Sequence, residues 1–301
     1  MIAAIVPHDL RNYFNQIYRP KKLLGKSERT SRIYLLTFDR FAEFLQHNPT
    51  LADLTEDAIY GFLDWRLSAG RAWHTVDKES DKLLAVANYA ARKRHIEQFV
   101  DRPNLKPPEQ MPTCWTLDQL LSLLQACRVA RGWIGGAPAR LWWLAFHFVC
   151  LSTGERTEAM LSLRWDMLKG AILSVPPSVR KGRRKAARYV LPEPVAAILK
   201  ELRAYSADAR IFAAPWKDLR SSFYGHYTNL LKLAGLPSGR DFKPQKLRKT
   251  FASFLEAAGG DATTALGHVD RRTTKESYLD TSITEAGKES PSVVAWRAMG
   301  L

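Results

Sequence analysis

The segment DRPNLKPPEQMP, residues 101–112, constrains this chain more than any other stretch. It holds four prolines in twelve residues. Each proline fixes φ and removes a backbone donor, so no helix or central strand runs through it. Such a composition favours an extended, semi-rigid connector. The 301-residue chain is long enough for two ordinary domains. The expected organisation is a leader over residues 1–26, a helical domain over 27–100, the linker 101–112, and a second domain over 113–301.

Periodicity on either side of the break is helical. In SRIYLLTFDRFAEFL (31–45), Tyr34, Phe38, Phe41 and Leu45 recur at steps of three and four and form one apolar stripe. TEDAIYGFLDWRLSAG (55–70) opens on Thr55 with acids in its first turn, places Ile59, Phe62, Leu63 and Arg66 on one side, and stops at Gly70. The stretch 75–96 repeats the pattern, and three such segments suit a small bundle. The aromatic stripes are read as core and not as a platform for stacked bases. Beyond the linker, Thr116 caps a helix over 116–130, and LWWLAFHFVCL (141–151) is a buried helix. Further helices are expected at 193–204, 217–234 and 244–258. The one region with strand character is AILSVPPSVRKGRRKAARYVLP (171–192), a hairpin or three-stranded meander with a charged tip. The fold class is therefore mainly α with a small antiparallel sheet.

Lysine and arginine number 45 against 30 acidic residues, a formal net charge of +15. That balance favours a polyanionic partner, because each neutralised phosphate releases condensed counterions. Cys114, Cys127 and Cys150 form no CxxC pair, which argues against a zinc knuckle and fits a reducing compartment. The opening MIAAIVPHDLRNYF lacks the basic and apolar regions of a signal peptide. The apolar run at 141–151 is far short of the roughly 20 residues that cross a bilayer. A soluble, cytoplasmic protein without a membrane partner is expected. No set of acidic residues suited to Mg²⁺ stands out, which disfavours a two-metal nuclease.

Four polar clusters interrupt these apolar patterns. Arg156, in STGERTEAML, lies at the junction of two helices, where it serves equally well as a helix cap or as a planar fork for a phosphate. VRKGRRKAAR (179–188) carries six basic residues and no acid. Gly182 permits a tight turn there, and Lys181 or Lys185 could enter a DNA groove or protonate a leaving alkoxide; a solvated basic loop is the plainer reading of any single residue. FKPQKLRKTFASFL (242–255) puts Arg248 directly after Leu247 and one turn beyond Gln245 on a basic amphipathic helix. ALGHVDRRTTKESYLD (265–280) places His268 after Gly267 and Tyr278 ten residues later. Taken singly, the histidine reads as structural and the tyrosine as packing. Together the clusters suit one chemistry. Two arginines and a further donor can stabilise a phosphodiester transition state without a metal, and a tyrosine beside them becomes a competent nucleophile.

These motifs resemble those of the tyrosine recombinases, the phage-integrase family. TGERTEAMLSLRW (153–165) is similar to the family's first arginine box, QKLRKTFA (245–252) to the second, and LGHVDRRTTKESY (266–278) to the closing histidine–tyrosine box. The resemblance covers about Ser27 to Tyr278 and implies a helical, SAM-like core-binding domain followed by an α+β catalytic domain. It implies catalytic roles for Arg156, Lys181, Gln245, Arg248, His268 and Tyr278, with Lys185 as the alternative hairpin lysine. It implies DNA contacts from Arg180, Arg183, Arg184, Lys185, Lys246 and Lys249.

The activity so implied is site-specific recombination. The two domains would clamp double-stranded DNA at a specific site, and Tyr278 would form a 3′-phosphotyrosyl intermediate within a homotetramer, with no cofactor, metal or ATP. The tail patch Val293, Val294, Ala295 and Trp296 would dock on a neighbouring subunit, and the first 26 residues are too short for a separate arm-binding domain. The sequence departs from the family in three places. Ala159 stands where the family has an acid, with Glu158 one position early; Gln245 replaces a histidine; Lys249 replaces the next one. The His268–Tyr278 spacing is also one residue longer than is commonest. Glutamine donates a hydrogen bond but shuttles no proton at neutral pH. A non-catalytic DNA-binding protein with the recombinase fold is the rival reading, followed by a supercoil-relaxing enzyme using the same nucleophile.

Overall fold

A computed structural model of the chain describes residues 6–105, 108, 111–180, 185–214 and 222–285. Lys181, Arg183 and Arg184, the tail patch at 293–296 and the start of the helix expected from 217 lie outside the described residues. The chain divides into two units, residues 1–109 and 110–301, with the boundary inside the proline-rich stretch.

The first unit is helical. Its elements are α1 (Leu10–Tyr13), a π-helical turn (Phe14–Tyr18), α2 (Arg19–Lys22), α3 (Glu28–Leu45), α4 (Glu56–Ser68) and α5 (Trp73–Arg92). The aromatic stripe of α3 is core: Tyr34, Phe38 and Phe41 are buried, with Phe14 stacked on Tyr34 and edge-on to Phe38. Thr55 caps α4 by accepting from the Ala58 amide at 3.2 Å, and Ile59, Phe62, Leu63 and Arg66 are all buried. Residues 10–22, set apart in sequence as a leader, are part of this body. Leu10, Tyr13, Phe14 and Tyr18 are buried in its core, and the Leu10 amide donates to Pro49 O at 2.9 Å. The continuous α1–π–α2 stretch places Leu10, Tyr13 and Phe14 on one face and then shifts register, a pattern that a strict 3.6-residue period hides.

Burial of Arg66 is made possible by Glu79 on α5. Arg66 Nε and a terminal nitrogen donate to the two carboxylate oxygens at 2.8 and 3.1 Å, and Arg40 pairs with the same carboxylate. Arg66 and Glu79 are 5% and 3% exposed, so neither charge has water as a substitute partner.

The second unit is built around α7 (Ala139–Thr153), whose residues are buried on nearly every side. A helix that is apolar all round belongs at a centre. It packs against α6 (Leu117–Val129), α9 (Glu193–Ala204) and α11 (Gln245–Ala257). Trp142, Trp143 and Phe146 cluster with Phe212, Phe223 and Tyr227, and Trp142 Nε1 donates to Ala213 O at 2.9 Å. Between α6 and α7 lies a small hairpin, β1 (Trp133–Ile134) with β2 (Ala137–Pro138), that the sequence reading did not anticipate. Its Gly135–Gly136 turn has positive φ at both residues. A Cβ at Gly135 would stand 2.1 Å from Ala213 O, so the turn requires glycine.

After α7 come α8 (Thr157–Met160), a single turn, and an antiparallel three-stranded meander of β3 (Leu168–Lys169), β4 (Ile172–Val175) and β5 (Ala187–Val190). The register pairs Leu173 with Tyr189 and Val175 with Ala187. α10 (Tyr224–Leu233) returns to the core. The last three elements are α12 (Ala262–Leu266), α13 (Arg271–Tyr278) and α14 (Thr281–Thr284), each packed on or beside α11. All three cysteines are free and buried. Among the described residues, no helix is long and apolar enough to cross a membrane.

The Arg66–Glu79 pair yields a prediction. Glu79→Ala strands a buried guanidinium and should destabilise the first unit by about 3–5 kcal/mol in a urea titration. The Arg66→Met, Glu79→Met double variant should recover most of that loss.

Candidate active site

The site grows from the C-terminus of α7. Gly154 ends that helix in the left-handed region at φ 60°, and a Cβ there would lie 2.4 Å from Phe251 and 2.9 Å from Leu266. Only glycine allows the chain to turn this tightly beneath α11 and α12. The turn delivers Glu155 to the interior and Arg156 to the N-cap position of α8, where Arg156 is half-buried.

Arg248, on the inner face of α11, is 1% exposed. Its guanidinium donates to Gly154 O, to Leu266 O at 3.1 Å and to His268 Nε2 at 3.1 Å. One side chain thereby joins the end of α7, the end of α12 and the histidine. Since His268 Nε2 accepts from Arg248, its proton resides on Nδ1, which donates to Thr274 Oγ1 at 2.8 Å. Burial, followed by the charges of Arg248 and Arg156, pushes the histidine pKa down to about 4, so the ring is neutral at physiological pH.

Tyr278 ends α13. Its ring centroid is 4.7 Å from that of His268, and the Arg248 guanidinium lies 5.3 Å from the ring centre. Partial burial by itself raises the phenol pKa. The charges and hydrogen bonding of Arg248 and Arg156 outweigh it and leave the phenol below its ordinary value. The backbone around the tyrosine is fixed as well. Ser253 Oγ donates to Tyr278 O at 3.2 Å and accepts from the Asp280 amide at 2.9 Å. Asp280 in turn accepts from the Cys114 amide at 2.8 Å. The spacing between His268 and Tyr278 is accommodated because Asp270 starts α13 afresh and the helix closes on a wide bond from Leu279 N–H to Thr274 O.

Of the residues singled out in sequence, Arg156, Arg248, His268 and Tyr278 converge. Gln245 is half-buried one turn before Arg248 on α11, and Lys249 is half-buried beside it. Lys185 is exposed at the start of the returning hairpin limb. Two of the residues expected to contact DNA are buried within the second unit. Lys246 is 6% exposed, donates to Thr113 Oγ1 at 3.0 Å and lies over the rings of Trp115 and Phe242, because its position on α11 faces the core. Arg180 is 8% exposed, with Nε 2.6 Å from Glu155 Oε1 in a close contact that is not aligned as a hydrogen bond. Its charge is spent within the protein.

Sequence reasoning missed Glu155, Tyr189 and Thr274. Glu155, 3% exposed, was readable as an acid inside an otherwise buried turn, whereas Glu158, weighed as the misplaced acid, is exposed. Thr274 precedes Tyr278 by one helical turn, which places both on one face. Among the described residues, no group of three or more His, Cys, Asp or Glu side chains is placed to hold a metal ion.

Residues 114–285 match the family model described as the phage integrase family. The chain belongs to that family. No curated protein matches the sequence. Among solved structures, the chain resembles a Tn1549 transposon integrase in complex with a circular intermediate DNA, at TM-score 0.69 and 12% identity over 98% of this chain and 100% of that one. It also resembles a lambda integrase dimer bound to a COC′ core site, at TM-score 0.68 and 18% identity over 91% and 95% of the two chains. A third is the XerH site-specific recombinase bound to a palindromic difH substrate, at TM-score 0.66 and 17% identity over 94% and 82%. The fold is that of the tyrosine recombinases.

Two outcomes follow. Gly154→Ala should cost about 2–5 kcal/mol from left-handed strain and overpacking against Phe251 and Leu266, read by denaturant midpoint. In an NMR titration His268 should stay neutral on the Nδ1–H tautomer down to about pH 4. Its folded value lies below the ordinary 6.5, so its contribution to stability is complete above 6.5 and is lost as pH falls through about 4.

Proposed function

We propose that this member of the phage integrase family is a site-specific DNA recombinase that cuts and rejoins DNA through Tyr278. The observation that carries the reading is the convergence of Arg156, Arg248, His268 and Tyr278, with the tyrosine phenol held below its ordinary pKa by the two arginines. Among the described residues no carboxylate forms a salt bridge with either arginine, so neither charge is neutralised by an ion pair there. A phosphodiester supplies that anion, and its two non-bridging oxygens match two guanidinium donors.

In the proposed reaction, Arg156 and Arg248 hold the non-bridging oxygens and Gln245 donates a further hydrogen bond. Tyr278 loses its proton to solvent, and Oη attacks phosphorus. The bond from phosphorus to the 5′ oxygen breaks, and that oxygen takes a proton from the ammonium of Lys181. The product is a 3′-phosphotyrosyl link and a free 5′-hydroxyl. Attack by a partner strand's 5′-hydroxyl returns its proton to the lysine and releases the tyrosine, so bond energy is conserved without ATP or a metal. Exchange between two duplexes needs four such sites, and a homotetramer on DNA is part of the proposal. His268, neutral and fixed by Thr274, orients Arg248.

The test is covalent trapping. The full-length protein is incubated with nicked duplexes tiled from DNA flanking its own gene and resolved on denaturing gels. A protein–DNA adduct is expected, absent in Tyr278→Phe and formed about 100- to 1,000-fold more slowly in Arg248→Ala. Tight, salt-sensitive binding without any adduct would overturn the catalytic reading in favour of a DNA-binding protein that keeps the fold.

A further inference from the structure

The buried carboxylate of Glu155 has no part in the reaction as proposed, yet it occupies the junction of the site's turns. Its Oε1 lies 2.6 Å from Arg180 Nε and accepts the Tyr189 hydroxyl at 2.7 Å. Arg180 leaves the outgoing limb of the basic hairpin, and Tyr189 lies on the returning strand β5. One carboxylate oxygen therefore grips both limbs. The Arg180 guanidinium also lies against Gly267, where an added Cβ would stand 3.4 Å from its terminal nitrogens.

The chain positions of these contacts are informative. Glu155 immediately precedes Arg156, Arg180 immediately precedes Lys181, and Gly267 immediately precedes His268. Arg180 thus pairs with the residue just before Arg156 and lies beside the residue just before His268. Burial, followed by the carboxylate, pushes the Tyr189 phenol well up, which keeps it a neutral donor. Glu155 brings a carboxylate into the interior directly before Arg156.

We propose that Glu155 is a positioning residue that clamps both limbs of the basic hairpin, through Arg180 and Tyr189, to the turn carrying Arg156. The inference rests on the recombinase reading. In it, the clamp fixes Arg180, the residue that directly precedes the proposed proton donor Lys181 in the chain. Arg180 is then a hinge pin of the hairpin and not a DNA contact. A misplacement on the order of 1 Å can lower a rate about 100-fold, so loosening the clamp acts on protonation of the leaving oxygen.

The test uses the trapping duplex twice, once with the ordinary phosphodiester and once with sulfur replacing the bridging 5′ oxygen. A thiolate leaves without being protonated, so the sulfur substrate does not need the donor. Glu155→Gln should slow adduct formation about 100-fold on the oxygen substrate and restore near wild-type rates on the sulfur one. Tyr189→Phe, which deletes one hydrogen bond and keeps the packing, should show the same pattern with a smaller loss. Equal losses on both substrates, or no loss on either, would overturn the proposal. Failure of the wild-type protein to form any adduct would instead strike at the recombinase reading, and amide exchange in the free protein then decides. The clamp predicts exchange at residues 187–190 about tenfold faster in Glu155→Gln, with α7 and α11 unchanged; unaltered exchange at 187–190 contradicts it.

Discussion

The structure of the second unit depends on one buried cation. Arg248 is almost wholly removed from water, and its guanidinium nevertheless has no carboxylate in salt-bridge range among the described residues. Two backbone carbonyls and an imidazole nitrogen hold it, and its Nε is buried without a hydrogen-bond partner. Carbonyl dipoles compensate a guanidinium only in part, and a buried charge left under-compensated costs several kcal/mol. That cost lowers the arginine's own pKa through burial and the nearby Arg156. A protein core gains nothing from such an arrangement unless an anion completes it.

Several elements of the second unit meet at that cation. α7 is the apolar axis of the unit, and its left-handed exit at Gly154 aims a carbonyl at Arg248. α11 crosses α7 and presents Arg248 inward, while Lys246 on the same helix is anchored against Trp115 and Phe242. α12 ends with Leu266 O facing the guanidinium, and α13 carries Tyr278 back beside it. Glu155 sits one residue from Gly154 but turns to the hairpin, so positive and negative charges are separated within one turn. At that range the Glu155 charge acts on Arg248 less than Arg156 does, and the two arginines still lower the tyrosine's pKa.

Much of this was legible in the sequence, for identifiable reasons. Arg156, Arg248, His268 and Tyr278 were legible as a set through the ordered motifs that carry them, although taken singly each read as a cap, a surface charge or packing. The bundle's aromatic stripes followed from a 3.6-residue period, and the meander from its β-rich runs around a basic, glycine-containing middle. What was not legible depended on tertiary contact. Lys246 looked like another basic residue of a basic helix, and only packing against Trp115 assigns it inward. Arg180 belonged to a run of like charges, and nothing local reveals that a carboxylate 25 positions earlier in the chain neutralises it. Residues 10–22 were passed over because a π turn breaks their period.

The central claim is that two arginines with no carboxylate partner act on Tyr278, and the phenol's own titration tests it most directly. Tyrosines labelled at Cζ would be titrated by NMR in the free protein, with Tyr278 assigned by its absence in Tyr278→Phe. The account predicts a midpoint below the ordinary 10.0 in the wild type, rising in Arg156→Met and in Arg248→Met as burial takes over. A wild-type midpoint at or above 10.0, unmoved by either substitution, would contradict it.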